Sequence, residues 1–260
     1  MKSKNHRIKF YIILFFSLLL FMVLVVCPLG NALYDKYRNN ELKVDDSLIL
    51  PNVVIADACD ENDQNCMKNV ILINSAISLN TIESFNKLKL PENVDTVCFS
   101  SSGGNVEVSI LIGNYIKKHG FNTCMASKYK IHNILQDGGV LTMHTGGCAS
   151  MCPLILLMGE ERYAIGGNFK IELHHIGKTR NYCICEIKTN SSDSDGDVIS
   201  MLSSVGTESD INKKIDFFRL SQETDFKEDK LYRVTEDELQ KYRVFTEYYS
   251  SSPLSVKTDV

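Results

Sequence analysis

The chain has 260 residues, a formal net charge of −4 and 23% charged side chains. Its basic residues are scattered and form no stripe interleaved with aromatics, which excludes a nucleic-acid surface as a reading. With a leader of some thirty residues set aside, roughly 230 remain, enough for one sizeable core.

Lys2, Lys4, His6, Arg7 and Lys9 precede an uncharged run from Phe10 to Cys27 in which Ser17 is the only strongly polar side chain. Its length falls between the apolar core of a signal peptide and the roughly 20 residues that span a bilayer as a helix. Gly30 and Ala32 offer small side chains at the spacing a signal peptidase accepts. Residues 1–32 therefore read as a signal peptide cut after Ala32 or, uncut, as a transmembrane helix holding the chain to the membrane with its basic end in the cytoplasm. Either way the domain that follows is expected in a non-cytosolic compartment.

Residues 33–68, rich in Asn, Asp, Lys and Glu, read as a polar linker with one short apolar segment from Ser47 to Ala56. The patterned domain spans 69–245. Val70–Ile73 and Val94–Ser100 have the composition of buried strands, and Leu79–Leu88 has helical spacing. Ser102-Gly103-Gly104 then leads into a helix over 105–119, stopped by Gly120. Strand, Gly-rich turn and helix in this order mark a crossover of a layered α/β fold. Two β-like stretches over 128–147 flank a turn at Asp137-Gly138-Gly139. Gly146-Gly147-Cys148-Ala149-Ser150 opens an apolar helix from Met151 to Met158, and a strand runs from Lys170 to His175. Residues 186–197 read as a polar loop. Helical spacing returns over Val198–Leu202 and Ile211–Leu220, and Thr235-Glu-Asp-Glu238 has the form of a capping box. Residues 246–260 read as a C-terminal tail.

Nine cysteines occur, and those at 59, 66, 98, 124, 148, 152, 183 and 185 lie beyond the leader. An even number in an exported domain suits disulfides, with 105 connectivities open. Cys59 and Cys66 close one polar loop and form the simplest local pair. Cys148, Cys152, Cys183 and Cys185 near His174 and His175 are ligand types for zinc, but their spacings do not fit the usual two-residue-gap knuckle. No metal or other cofactor is expected.

Across residues 70–176 the order of motifs resembles the Clp protease proteolytic subunit and its wider crotonase superfamily, and it looks especially like exported, cysteine-bearing Clp-protease-like proteins of bacterial envelopes. Ser102-Gly103-Gly104 matches the family's Gly-rich oxyanion turn. Cys148-Ala149-Ser150-Met151-Cys152 matches its nucleophile motif with the flanking cysteines of the exported relatives. His174, in Ile171-Glu172-Leu173-His174, stands where the family has its histidine, with His175 a second candidate. The resemblance implies a repeated β-β-α layered superhelix with insertions near 126–147 and 177–197. It implies Ser150, His174 and an acidic residue as a triad, with Gly103, Gly104 and Met151 forming the oxyanion hole. Asp225, Glu228 and Asp229 are available as the third member, and Asp229 leads because an acidic residue shortly before Leu231-Tyr232 resembles the envelope relatives.

The chemistry suits these types: serine needs a base to remove its proton, imidazole titrates near neutrality, and converging amides hold the oxyanion. Each has a blander reading, Ser150 as a helix cap, His174 as a strand histidine and the glycines as a plain turn. Only one of His174 and His175 faces Ser150, since neighbours in a strand point to opposite faces. A bond between Cys148 and Cys152 would strain the turn holding Ser150, so partners elsewhere are expected, such as Cys124 for one of them.

The resulting expectation is an ATP-independent serine peptidase acting on polypeptide, in the periplasm, anchored in the inner membrane facing it, or secreted. A homo-oligomer is implied, and no Clp ATPase partner. The alternatives are a non-catalytic scaffold that keeps the fold and an acyl-CoA-processing crotonase-like enzyme.

Overall fold

The computed structural model describes residues 51–90, 93–132, 139–174, 177–182, 185–190, 192–223 and 231–249. The described residues fall into two compact units: one holds those of 51–177 and 192–249, the other those of 178–190. Within the larger unit an eight-stranded mixed sheet is interspersed with helices, as a layered α/β reading requires.

The sheet is founded on β1 (Val53–Cys59) and β2 (Cys66–Ile73), an antiparallel pair. β1 thus lies inside the stretch that reads as linker. Its apolar side chains pack, while the polar residues 60–65 that obscure it in the sequence belong to the connecting turn. β3 (Thr96–Phe99), β4 (Asn122–Ala126), β8 (Arg162–Ile165) and β13 (Glu247–Tyr249) continue from β2 in parallel. On the other side β1 pairs with β5 (Lys128–Ile131), and β5 with β6 (Leu141–His144), both antiparallel. The expected turn at Asp137-Gly138 lies outside the described residues. β13 corrects the assignment of residues 247–249 to a tail. Its side chains are exposed, so no buried face marks it in the sequence, although Tyr favours strands.

Val70–Ile73 is apolar throughout because β2 is covered on both faces. Ile71 and Ile73 enter one core with Val97, Phe99 and the helices, whereas Val70 and Leu72 enter a second with Cys98, Cys124 and Tyr129. Each such side chain contributes about 1.5–3 kcal/mol through removal from water. The second core is enclosed by the sheet's own curl. From β5 the Tyr129 hydroxyl donates to the Phe99 carbonyl (2.9 Å) and accepts from the Ala126 amide (3.1 Å), so β5 folds back over the ends of β3 and β4. Burial pushes the Tyr129 phenol pKa well up.

Among the helices, α1 (Leu79–Lys87) starts in a capping box between Ser78 and Thr81. α2 (Val106–Lys118) is capped by Asn105, whose side chain accepts from the Val108 amide. α3 (Cys152–Leu156) is entirely buried. α4 (Ser192–Leu202) begins within the stretch that reads as polar loop; serine and aspartate favour helix starts, and early acidic groups suit the positive end of the helix dipole. α5 is Glu208–Glu223. α6 (Glu236–Lys241) carries the expected capping box, with the Thr235 amide donating to Glu238 (2.8 Å) and the Glu238 amide to Thr235 (3.3 Å).

Arg162, at 2% exposure, ties β8 to α5 and to the turn before β13. Its guanidinium bonds Asp210 (2.8 Å) and the carbonyls of Val244 and Arg243, while Lys214 takes the other Asp210 oxygen (2.8 Å). The two cations share one carboxylate, so removing it would cost about 3–5 kcal/mol.

β7 (Cys148–Ala149), β9 (Ile171–Leu173) and β12 (Tyr232–Arg233) form a second small sheet. β10 (Gly177–Tyr182) and β11 (Cys185–Asn190), which apart from Gly177 belong to the other unit, make a two-stranded sheet.

Candidate active site

Beyond β3 the chain changes partners, and this change builds the Gly-rich turn. The Ser100 amide still bonds β2 at Ile73 (2.9 Å), but Ser101 bridges to β7: its amide donates to Gly147 and its carbonyl accepts from Ala149, both at 2.9 Å. The buried Ser101 hydroxyl donates to the Ser75 carbonyl (2.6 Å) and accepts from the Gly103 amide (3.1 Å). Gly103 is therefore no free donor; its part is shape. With φ +81° it lies so close to the opposite turn that a Cβ would come 2.5 Å from the Ala149 carbonyl, 2.6 Å from Ser150 Cβ and 2.9 Å from the Met151 nitrogen.

The next residue is set by Ile77. The Ile77 amide donates to the Gly103 carbonyl (2.7 Å), and the Asn105 amide donates to the Ile77 carbonyl (2.9 Å). Since the Gly103 carbonyl turns toward Ile77 and a trans peptide sets its C=O and N–H on opposite sides, the Gly104 N–H points away from Ile77. Gly104 has φ +149° and no room for a Cβ against the Ile77 carbonyl.

Ser150 ends β7. Cys148 and Ala149 pair in parallel with Ile171 and Glu172, the Cys148 amide donating to Lys170 (2.8 Å) and the Ser150 amide to Glu172 (3.0 Å). There the strand stops, because Ser150 adopts φ +59°, a left-handed conformation uncommon for serine. The cap of α3 is Met151, not Ser150, so the helix-cap reading of this serine does not hold. Among the described residues neither the Gly104 nor the Met151 amide donates to a protein acceptor. Two donors are thus left uncommitted beside the Ser150 hydroxyl group's own turn.

His174 follows β9 and is half-buried. Ile171 and Leu173 face the core, so Glu172 and His174 share the opposite face with Ala149, the register partner of Glu172. β12 pairs Tyr232 with Leu173, the neighbour of His174. His175 and the acidic candidates Asp225, Glu228 and Asp229 lie outside the described residues.

No protein-family model matches the sequence, and no curated protein matches it. Among solved structures the chain is similar to a mutant of a membrane-bound stomatin-specific protease, at 13% identity and TM-score 0.42, covering 71% of this chain and 78% of that one. It is similar to ClpP1 from Listeria monocytogenes at 18% identity and TM-score 0.41, covering 70% and 92%. For the ClpP catalytic domain from Plasmodium falciparum the figures are 14%, 0.37, 74% and 86%. Such scores assign no activity.

Disulfides are where the sequence reading needs correction. Cys59 and Cys66 are bonded as the loop suggested, but Cys124 is bonded to Cys98, not to Cys148 or Cys152. Cys98 and Cys124 stand directly opposite each other in β3 and β4, a register no local spacing reveals. Cys148 and Cys152 are bonded to each other, with Cα atoms 5.3 Å apart. The left-handed Ser150 lets the chain double back so that the two sulfurs meet. Side-chain placement of Cys183 and Cys185 lies outside the described residues. Cys59, Asp63 and Cys66 group ligand-type atoms within 4.8 Å, yet two joined sulfurs offer no thiolate to a metal.

A second correction concerns the transmembrane helix. Among the described residues no helix is long and apolar enough to cross a membrane; residues 1–32, on which that expectation fell, lie outside them.

Two groups that sequence reasoning missed shape this region. Ser101 orients the Gly-rich turn, and Glu61 reaches from the β1–β2 turn to accept from the Ser127 hydroxyl (2.6 Å) and the amides of Gly167 and Asn168 (2.8 Å each), on the segment leading to β9. Glu61 has no signal in local sequence, since it acts on residues remote along the chain; Ser101 acts both on the remote Ser75 carbonyl and on Gly103 two residues on.

Proposed function

We propose that the protein is a serine hydrolase, an ATP-independent peptidase working on polypeptide in an oxidising, non-cytosolic compartment. Ser150 is the nucleophile, His174 the general base, and the Gly104 and Met151 amides hold the oxyanion. The carrying observation is the seating of Gly103 against Ser150 and the Met151 nitrogen, which brings a Gly-rich turn onto a serine with φ +59°. In the proposed reaction His174 takes the Ser150 proton as the oxygen attacks a carbonyl. Negative charge then develops on the carbonyl oxygen beside two uncommitted amides. His174 returns the proton to the leaving amine, and water releases the acyl group by the same route. Loss of one oxyanion donor typically costs about 10²–10³ in rate.

Asp229 is proposed to orient His174, by the resemblance to the envelope relatives, which also suggests the β-β-α superhelix and a homo-oligomer. Three disulfides support the compartment, because such bonds persist where thiols are not kept reduced.

A fluorophosphonate probe tests the reading. The wild-type protein is expected to label, Ser150→Ala to abolish labelling, and His174→Ala to slow it by about 10²-fold or more. Undiminished labelling of Ser150→Ala would sink the assignment.

A further inference from the structure

We infer that the Cys148–Cys152 disulfide is a positioning element, holding Ser150 in the left-handed conformation that seats it against Gly103. The inference rests on the hydrolase reading and deepens it by naming what makes Ser150 competent.

Little else at this turn holds such a conformation. β7 is two residues long, and α3 has five, too few for a helix to sustain itself. Met151 caps α3 without a side-chain hydrogen bond. Among the described residues the hydrogen bond made by Ser150 itself is its amide's to Glu172 (3.0 Å), on the residue's N-terminal side; on the other side Met151 is buried and its carbonyl accepts from the Ile155 amide. The disulfide fixes both sides. Cys148 is anchored by the Lys170 carbonyl and by the bridge to Ser101; Cys152 is the first residue of α3, and both are buried, at 1% and 0% exposure. The backbone from 148 to 152 and the sulfur bridge form one small ring, with Ser150 at its middle.

The rest of the chain supplies a parallel. Among the described residues four non-glycine residues have positive φ: Asp63, Asn69, Ser150 and Arg243. Two of them, Asp63 and Ser150, lie within the short loops closed by Cys59–Cys66 and Cys148–Cys152. Asp tolerates this region through local hydrogen bonding, whereas serine does so less readily, so the covalent closure matters more at Ser150.

The bond forms by thiol–disulfide exchange while the chain folds. The two thiols give up two protons and two electrons to a donor disulfide, which leaves as a dithiol. A chain still in a reducing compartment has no ring at 148–152, and Ser150 becomes competent only where a disulfide donor is present.

The test compares full-length wild type with Cys148→Ala/Cys152→Ala, measuring the maximal inactivation rate and apparent affinity for a fluorophosphonate, together with amide hydrogen exchange at Ser150. The variant is expected to lose about tenfold or more in maximal rate with affinity changed less than about twofold, since a freed residue leaves a strained conformation most of the time. Exchange at Ser150 should accelerate by a similar factor. Should the double variant not fold, Cys152→Ser removes the bond with almost no change of volume and carries the same comparison. A lowered melting temperature with unchanged maximal rate and unchanged Ser150 exchange overturns the inference, because the bond would then be a staple only. If wild type takes no label, the hydrolase reading falls, and the exchange arm alone decides the positioning claim.

Discussion

Two short disulfide-closed loops, 59–66 and 148–152, solve opposite problems with the same covalent device. In the first, carboxylates collect donors. Asp60 accepts from the amides of Asn62, Gln64 and Asn65 and from the Asn65 side chain, Glu61 accepts from Ser127, Gly167 and Asn168, and Asp63 meets Lys128 and Lys130 at 2.9 and 3.0 Å. At the second, donors are left over: the Met151 amide, and the Gly104 amide of the neighbouring turn, have no acceptor among the described residues. A loop whose hydrogen-bonding capacity is filled serves stability. One that keeps donors in reserve beside a hydroxyl suits the proposed hydrolase, in which negative charge would develop on the substrate.

The sharpest way to break this contrast is Gly103→Ala. The added carbon would meet backbone of Ala149 and Met151, which cannot swing aside, and φ +81° is itself unfavourable for alanine. The expected result is a stability loss of about 2–4 kcal/mol in chemical unfolding and disappearance of probe labelling. Retained labelling would mean that the turn does not shape the site. Next in size is Cys59→Ala/Cys66→Ala, which should cost roughly 2–3 kcal/mol by releasing a short loop while labelling of the folded fraction stays at the wild-type rate. A labelling defect there would erase the division between the loops.

The smallest effect expected is the acid response of Glu61→Gln. Burial pushes the Glu61 carboxyl up, but the Ser127 hydroxyl and the Gly167 and Asn168 amides outweigh it and hold the pKa below its usual value. A depressed carboxylate contributes stability above the unfolded pKa of about 4.3 and loses it as pH falls through the lower folded value. Melting temperature against pH should therefore drop less steeply below this point in Glu61→Gln than in wild type, and parallel curves would remove Glu61 from the account.

Where an element is announced by neighbours in sequence, the sequence was readable. Ser102-Gly103-Gly104 before a helix, Ser150 after a glycine pair and the Thr235–Glu238 capping box are all local patterns, and α2 and α6 start where those patterns place them. What depends on register was not. The Cys98–Cys124 bond follows from two strands being aligned residue for residue, and no spacing along the chain encodes that. β1 was obscured by the polar turn joined to it, and β13 by exposure of all its side chains. The Cys148–Cys152 bond was rejected for a sound reason, the distortion it needs at Ser150; φ +59° is that distortion, accommodated by the glycine opposite.

The clasp made by Tyr129 gives the protein an internal optical reporter. The chain contains no tryptophan, so its near-ultraviolet absorbance is dominated by tyrosine, and this phenol is sealed within the sheet's curl between Phe99 and Ala126. Its ionisation in alkali must wait for the curl to open. A late absorbance step on raising the pH would time the parting of β5 from β3 and β4 without any label or ligand.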